Sequence, residues 1–160
     1  MRTLRYVAII AVAGSAAACI TRPGTLDTNL PPGAQWTATL TPENGSTLHG
    51  TVTFVRGTPA TQTRAIFALA GAQANSVLPW HVHYGVCGND HLIVGTAANY
   101  PPLVIGSTGS LTAAALLPLE LSEGPKYVVH IHASPVDMKT VACGALVPDR
   151  AIATVARTSR

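Results

Sequence analysis

The sequence predicts an all-β fold, a Greek-key β-sandwich or flattened barrel of about seven or eight strands. Three observations carry this. Beyond the N-terminal segment, no long stretch keeps the apolar period of a helix. Short runs rich in Thr, Val, Ala and Leu recur, and several alternate strictly. Turn sequences with Gly and Pro separate them at close intervals.

Taken in order, QWTATLT at 35–41 and TLHGTVTFV at 47–55 alternate. TRAIFALAG at 63–71, LPWHVHY at 78–84, SLTAAALLPLEL at 110–121, KYVVHIHA at 126–133 and GALVPDRAIATVA at 144–156 complete the set. The turns are PENGS at 42–46, RGTP at 56–59, NYPP at 99–102, GSTGS at 106–110 and SEGP at 122–125. TAAALL has a helical composition, but GSTGS and SEGP bracket it tightly, so it reads as a strand. Pro118 and Pro148 cannot donate to a ladder and mark edges or bulges.

The chain has 160 residues, 48% of them apolar and only 11% charged, which suits one domain with a real core at 35–157. Two of its basic residues, Arg2 and Arg5, belong to the N-terminal segment, and the remainder is almost balanced. No basic cluster is available to neutralise phosphates, so nucleic acid is not an expected partner.

The opening MRTLRYVAIIAVAGSAAAC reads as an export signal over 1–19. Arg2 and Arg5 supply the charged region, 6–13 is a short apolar run, and small residues precede Cys19. The apolar run is too short for a permanent span. Small residues directly before a cysteine resemble the lipobox of bacterial lipoproteins, with Ala16 where Leu is commoner. Cys19 is then the lipidation site and the membrane is reached through that lipid. Ordinary cleavage after Ala18 would leave Cys19 a free thiol. ITRPGTLDTNLPPGA at 20–34 is an aperiodic tether. The expected location is the bacterial cell envelope or periplasm.

With Cys19 lipidated, Cys87 and Cys143 remain, and an even number in an exported chain points to one disulfide. Closing a loop of that length stabilises by roughly 3–4 kcal/mol on a chain-entropy argument.

The chemistry lies in two His-x-His pairs, in PWHVHYGVC at 79–87 and YVVHIHASP at 127–135. Residues i and i+2 of a strand share a face. His81 and His83 therefore oppose Trp80, Val82 and Tyr84, while His130 and His132 oppose Tyr127, Val129 and Ile131. The apolar faces belong in the core and the imidazoles on the outside of the sheet, where a loop can cover them. If the strands are neighbours, up to four imidazoles converge. A near-square nitrogen set suits copper(II) and a tetrahedral one zinc. The same pattern also fits histidines that merely face solvent. Asp90 and His91, in the loop after Cys87, are candidate ligands or supports for ligands. His49 has no such partner and reads as a solvated strand residue.

These motifs together resemble the copper/zinc superoxide dismutase fold and the related bacterial domains of chordin-type repeats. GTVTF at 50–54 is similar to an early strand of that family, PWHVHYG to its GFHVHE strand, YVVH to its LVVH strand and ACGAL at 142–146 to its ACGVI. The resemblance spans roughly 35–156. It implies copper ligands at His81, His83 and His130, with the chordin-type pattern favouring His132, and a Cys87–Cys143 disulfide. Two departures stand out. The zinc-binding loop of the dismutases is reduced here to Asp90 and His91, so a full zinc site is not expected. The arginine that attracts superoxide is replaced by Thr140, with Lys139 alongside, and lysine lacks the guanidinium fork. Three functions follow: an envelope-anchored copper-binding protein, a copper-only superoxide dismutase, or a metal-free structural or adhesive β domain.

Overall fold

Strict alternation builds the first strand, β1 (Gln35–Pro42): Trp36, Ala38 and Leu40 are buried while Thr37 and Thr39 face solvent. The computed structural model describes residues 35–57 and 59–149. The export signal with Cys19, the tether at 20–34 and the expected strand residues 150–156 lie outside the described residues.

Alternation continues in β2 (His49–Arg56), where Val52 and Phe54 are buried, and in β3 (Thr63–Ala70), where Thr63, Ala65, Phe67 and Leu69 are. The chain then forms β4 (Val77–Leu78), β5 (Trp80–Val86), β6 (Asn89–Ile93), a short 3-10 turn at Ala97–Asn99, and β7 (Leu103–Val104). Next come β8 (Leu111–Leu117), β9 (Tyr127–Ser134) and β10 (Asp137–Pro148). TAAALL is a strand, as its bracketing turns predict, and it stops immediately before Pro118. Pro148 closes β10 beside Trp36 of β1. β10 begins earlier than the sequence suggests, because Asp137–Thr140 join the ladder through irregular pairings.

Eight strands form one antiparallel sheet in the order β6-β5-β9-β10-β1-β2-β3-β8, with β4 and β7 paired separately. The sheet curls over itself. β5 and β3 are five places apart in this order, so a flat sheet would hold them about 24 Å apart. Yet the Phe67 ring of β3 meets the Trp80 ring of β5 with centroids 4.6 Å apart, and Phe54 of β2 is 6.2 Å from Trp80. Trp80 is thus the hub at which the two halves close on one core. Its indole Nε1 donates to Pro101 O at 2.8 Å, so burying this large ring leaves no unpaired donor.

β9 is buried at six consecutive positions, Tyr127 to His132. A strand covered on both faces is ordinarily apolar throughout. Here Tyr127, Val129 and Ile131 enter the core, and His130 and His132 fill the opposite side. Tyr84 departs from its expected place. It is 40% exposed and rests on its cross-strand partner Tyr127, at 5.5 Å between ring centroids.

Candidate metal centre

β5 and β9 are direct neighbours, with His81 opposite His130 and His83 opposite Val128. Because His-x-His places both rings of a strand on one face, this register gathers all four imidazoles. Ring centroids of His83 and His130 are 4.9 Å apart, those of His81 and His132 5.2 Å, and those of His81 and His83 5.9 Å. The expected convergence is therefore met. The imidazoles lie on the outer face of the sheet, but they are covered: His81, His130 and His132 are 6%, 7% and 6% exposed.

Three features provide the cover. The β5–β6 turn brings Asp90 over the cluster, with Oδ2 3.5 Å from His83 Nδ1 and Oδ1 3.6 Å from His130 Nε2. Gly85 makes that turn possible: its φ is +122°, and a Cβ there would sit 2.5 Å from Asn89 O. The irregular start of β10 brings up the Met138 carbonyl, which accepts from His132 Nδ1 at 2.8 Å, and Thr140 Oγ1, 3.5 Å from His130 Nδ1. Tyr100 stacks its edge against His81 at 5.4 Å and donates its hydroxyl to Val94 O at 2.6 Å.

Carbonyl oxygens only accept, so they settle which nitrogens carry protons. His132 donates from Nδ1 to Met138 O, which leaves its Nε2 as a lone pair facing His81 Nδ1 at 3.2 Å. His83 donates from Nδ1 to His91 O at 3.0 Å, which leaves its Nε2 as a lone pair. Fixing imidazoles through their second nitrogen is how metal-binding histidines are ordinarily oriented. His83 Nε2 and His130 Nε2 are buried with no hydrogen-bond partner at all. An unsatisfied buried polar atom costs about 1–3 kcal/mol, so these two atoms call for a partner that the polypeptide does not supply.

Burial, and after it the neighbouring His132, His83 and His130, together lower the His81 pKa to about 4. Burial likewise lowers His130, against the upward pull of Asp90, and it lowers His132 against its bond to Met138 O. Deprotonated imidazole is the form that binds metal.

Among the described residues, two sets of three side chains could hold an ion: His81, His83 and His132, and His83, Asp90 and His130. In each set one ligand atom per residue lies within 4.8 Å of the others. A tetrahedron with bonds of about 2.0–2.2 Å has edges of about 3.3–3.6 Å. The 3.6 Å from His130 Nε2 to Asp90 Oδ1 is close to that range, as is the 3.2 Å from His81 Nδ1 to His132 Nε2 once His81 carries its proton on Nε2 rather than sharing it with His132. Glu43 stands equally near Cys87 and Cys143, but those sulfurs form a disulfide and offer no thiolate.

That disulfide, predicted from cysteine number and from the family likeness, ties the β5–β6 turn to β10 directly opposite His130. Of the remaining candidates, His91 contributes its carbonyl to His83 while its own ring is exposed. His49 is exposed on β2, bonded to Thr47 O, and stands outside both sets. Lys139 reaches towards Asn44 O at 3.5 Å. Sequence reasoning did not single out Tyr100 or the Met138 carbonyl. NYPP marked only a turn, and a backbone oxygen leaves no trace in residue type.

No protein-family model matches the chain, and no curated protein matches it.

Proposed function

We propose that this protein binds copper in the bacterial cell envelope, holding the ion among the imidazoles of His81, His83, His130 and His132. The observation that carries this reading is the pair of buried nitrogens without partners, His83 Nε2 and His130 Nε2, inside a cluster of four imidazoles. Folding has left these two nitrogens without a partner inside a cluster of donor groups, where a bound metal ion would satisfy them. Imidazole is a borderline donor, and a nitrogen-rich set favours copper over the other common divalent ions. The disulfide favours an oxidising compartment, in keeping with the export signal and a lipid anchor on Cys19.

Holding copper fits better than turning over superoxide. His81, His130 and His132 are almost wholly covered, Thr140 stands where the dismutases carry arginine, and Lys139 is drawn to Asn44 O. The fold and the His-x-His strands nevertheless keep a copper-only dismutase as the second reading.

Titration of the purified protein with copper(II), followed by electron paramagnetic resonance, tests the proposal. One equivalent should give a signal split by several nitrogens, and His81→Ala should weaken it. The absence of any nitrogen-split signal in the wild type would sink the metal reading. A superoxide-decay assay on the copper-loaded protein separates the two activities; a rate above that of copper in a simple peptide chelate would favour the dismutase. For the anchor, the wild-type protein should fractionate with membranes and Cys19→Ala should be released from them.

A further inference from the structure

The two ligand sets overlap at a single side chain, His83. Its Nδ1 donates to His91 O at 3.0 Å, so only Nε2 carries a free lone pair, and that atom has no partner. One lone pair binds one ion. The sets also differ in chemistry and in depth. His81 and His132, which belong to the all-imidazole set, are each 6% exposed. The Asp90 side chain, in the other set, is 25% exposed and the shared His83 side chain 12%.

We propose that the cluster holds one ion at a time in either of two overlapping positions that share His83. The inner position is formed by His81, His83 and His132, and the outer one by His83, His130 and the Asp90 carboxylate. The inference rests on the reading of this cluster as a metal centre and adds to it a second position and a route between the two. His130 supplies an independent reason for the outer position. Its side chain is 8% exposed, and its Nε2 has no hydrogen-bond partner. Asp90 Oδ1 lies 3.6 Å away, too far to hydrogen-bond but suitably placed to share an ion with it.

The donor sets sort ions by kind. Three imidazoles favour copper, whereas two imidazoles and a carboxylate also suit zinc and harder ions. An incoming ion meets the solvent-facing carboxylate first. It then moves inward by exchanging Asp90 and His130 for His81 and His132 while His83 stays bound, so it never leaves the protein between positions. No electron changes hands in this step; one set of donor bonds replaces another.

Copper(II) sulfate titrated into the full chain, read by electron paramagnetic resonance and by calorimetry, tests this. The wild type should bind one equivalent with three nitrogens. His132→Gln should still bind one equivalent, at least tenfold more weakly, with two nitrogens and an oxygen. Adding Asp90→Asn to His132→Gln should abolish binding, whereas Asp90→Asn alone should keep the three-nitrogen signal. His81→Gln removes the inner position in the same way and serves as the second variant if His132→Gln does not fold by circular dichroism. Two equivalents bound at once by the wild type would overturn the proposal. So would complete loss of binding in a folded inner-position variant, or a double variant that binds as well as His132→Gln. A wild type that binds nothing would instead remove the metal-centre reading itself.

Discussion

His81 and His130 are direct cross-strand partners on β5 and β9. That one register fixes the chemistry of the face. Side chains alternate along a strand, so a slip of a single residue would send one histidine pair into the core and bring Val129 and Ile131 outward. Such a slip of β9 would put imidazoles into the apolar core and take Ile131 away from its place beside Trp80. The aromatic core that closes the sheet is therefore also what aligns the histidine cluster.

His83 belongs to both ligand sets, and its loss should be felt most. His83→Ala is expected to weaken copper binding by at least about 100-fold, more than changes that merely disturb ligand support. His49→Ala, on the same sheet but outside both sets, should leave binding unchanged. Isothermal titration with copper(II) measures both, and equal effects would contradict the placement.

His130 should reveal a conflict between stability and binding. Its Nε2 is buried without a hydrogen-bond partner in the metal-free protein, at a cost of about 1–3 kcal/mol. Replacing the ring by an apolar side chain of similar bulk removes that cost. His130→Leu is expected to be neutral or more stable than wild type in urea, by up to about 1 kcal/mol after imperfect packing. Its copper-bound form should gain less stability from the metal than the wild type does. A marked loss of stability in the metal-free variant would show that the nitrogen is already satisfied.

Acid should destabilise the metal-free protein well above the range in which carboxylates titrate. The folded His81 pKa is lowered to about 4 from an ordinary 6.5. Between these values the unfolded chain binds the proton and the folded one does not, so stability rises with pH through this window. Above 6.5 this contribution is fully present; it is lost as pH falls, and the loss is complete near pH 4. His81 alone accounts for about 2 kcal/mol between pH 7 and pH 5. His130 and His132, also lowered, act in the same direction. Urea midpoints across this range provide the measurement, and a flat profile would mean that the cluster is wetter than its burial indicates.

Much of this was legible in the sequence because it depends on alternation, which residue type records. The long strands, the inward face of Trp80, the two histidine faces and the Cys87–Cys143 bridge follow from periodicity two, from cysteine number or from motif likeness, whereas Asp90 and His91, expected in a loop, lie on the short strand β6. What stayed hidden depends on backbone atoms and on where strands begin. The carbonyls of Met138 and His91 orient two of the rings, yet any residue would supply the same oxygen. The early start of β10 rests on irregular pairing that no run of apolar residues announces. Tyr84 has the alternation of a core residue yet is 40% exposed, although its cross-strand partner Tyr127 is buried.

The disulfide should matter to the site as well as to the fold. Cys87 and Cys143 are 56 residues apart, and closing a loop of that length constrains the unfolded chain by about 4 kcal/mol. Replacing both by Ser and Ala should lower stability by about 2–4 kcal/mol, since native and unfolded chains both relax. The local effect is more specific. Cys87 lies in the turn that carries Asp90, and Cys143 stands opposite His130. Without the bridge Asp90 loses its tether, while His81 and His132 remain held by the β5–β9 ladder and the Met138 carbonyl. In the folded double variant at low temperature, copper should still be bound through nitrogens, but uptake should slow. Stopped-flow mixing with copper(II) reads the rate. Unchanged uptake in a folded, bridge-free protein would show that the turn does not need its disulfide to place Asp90.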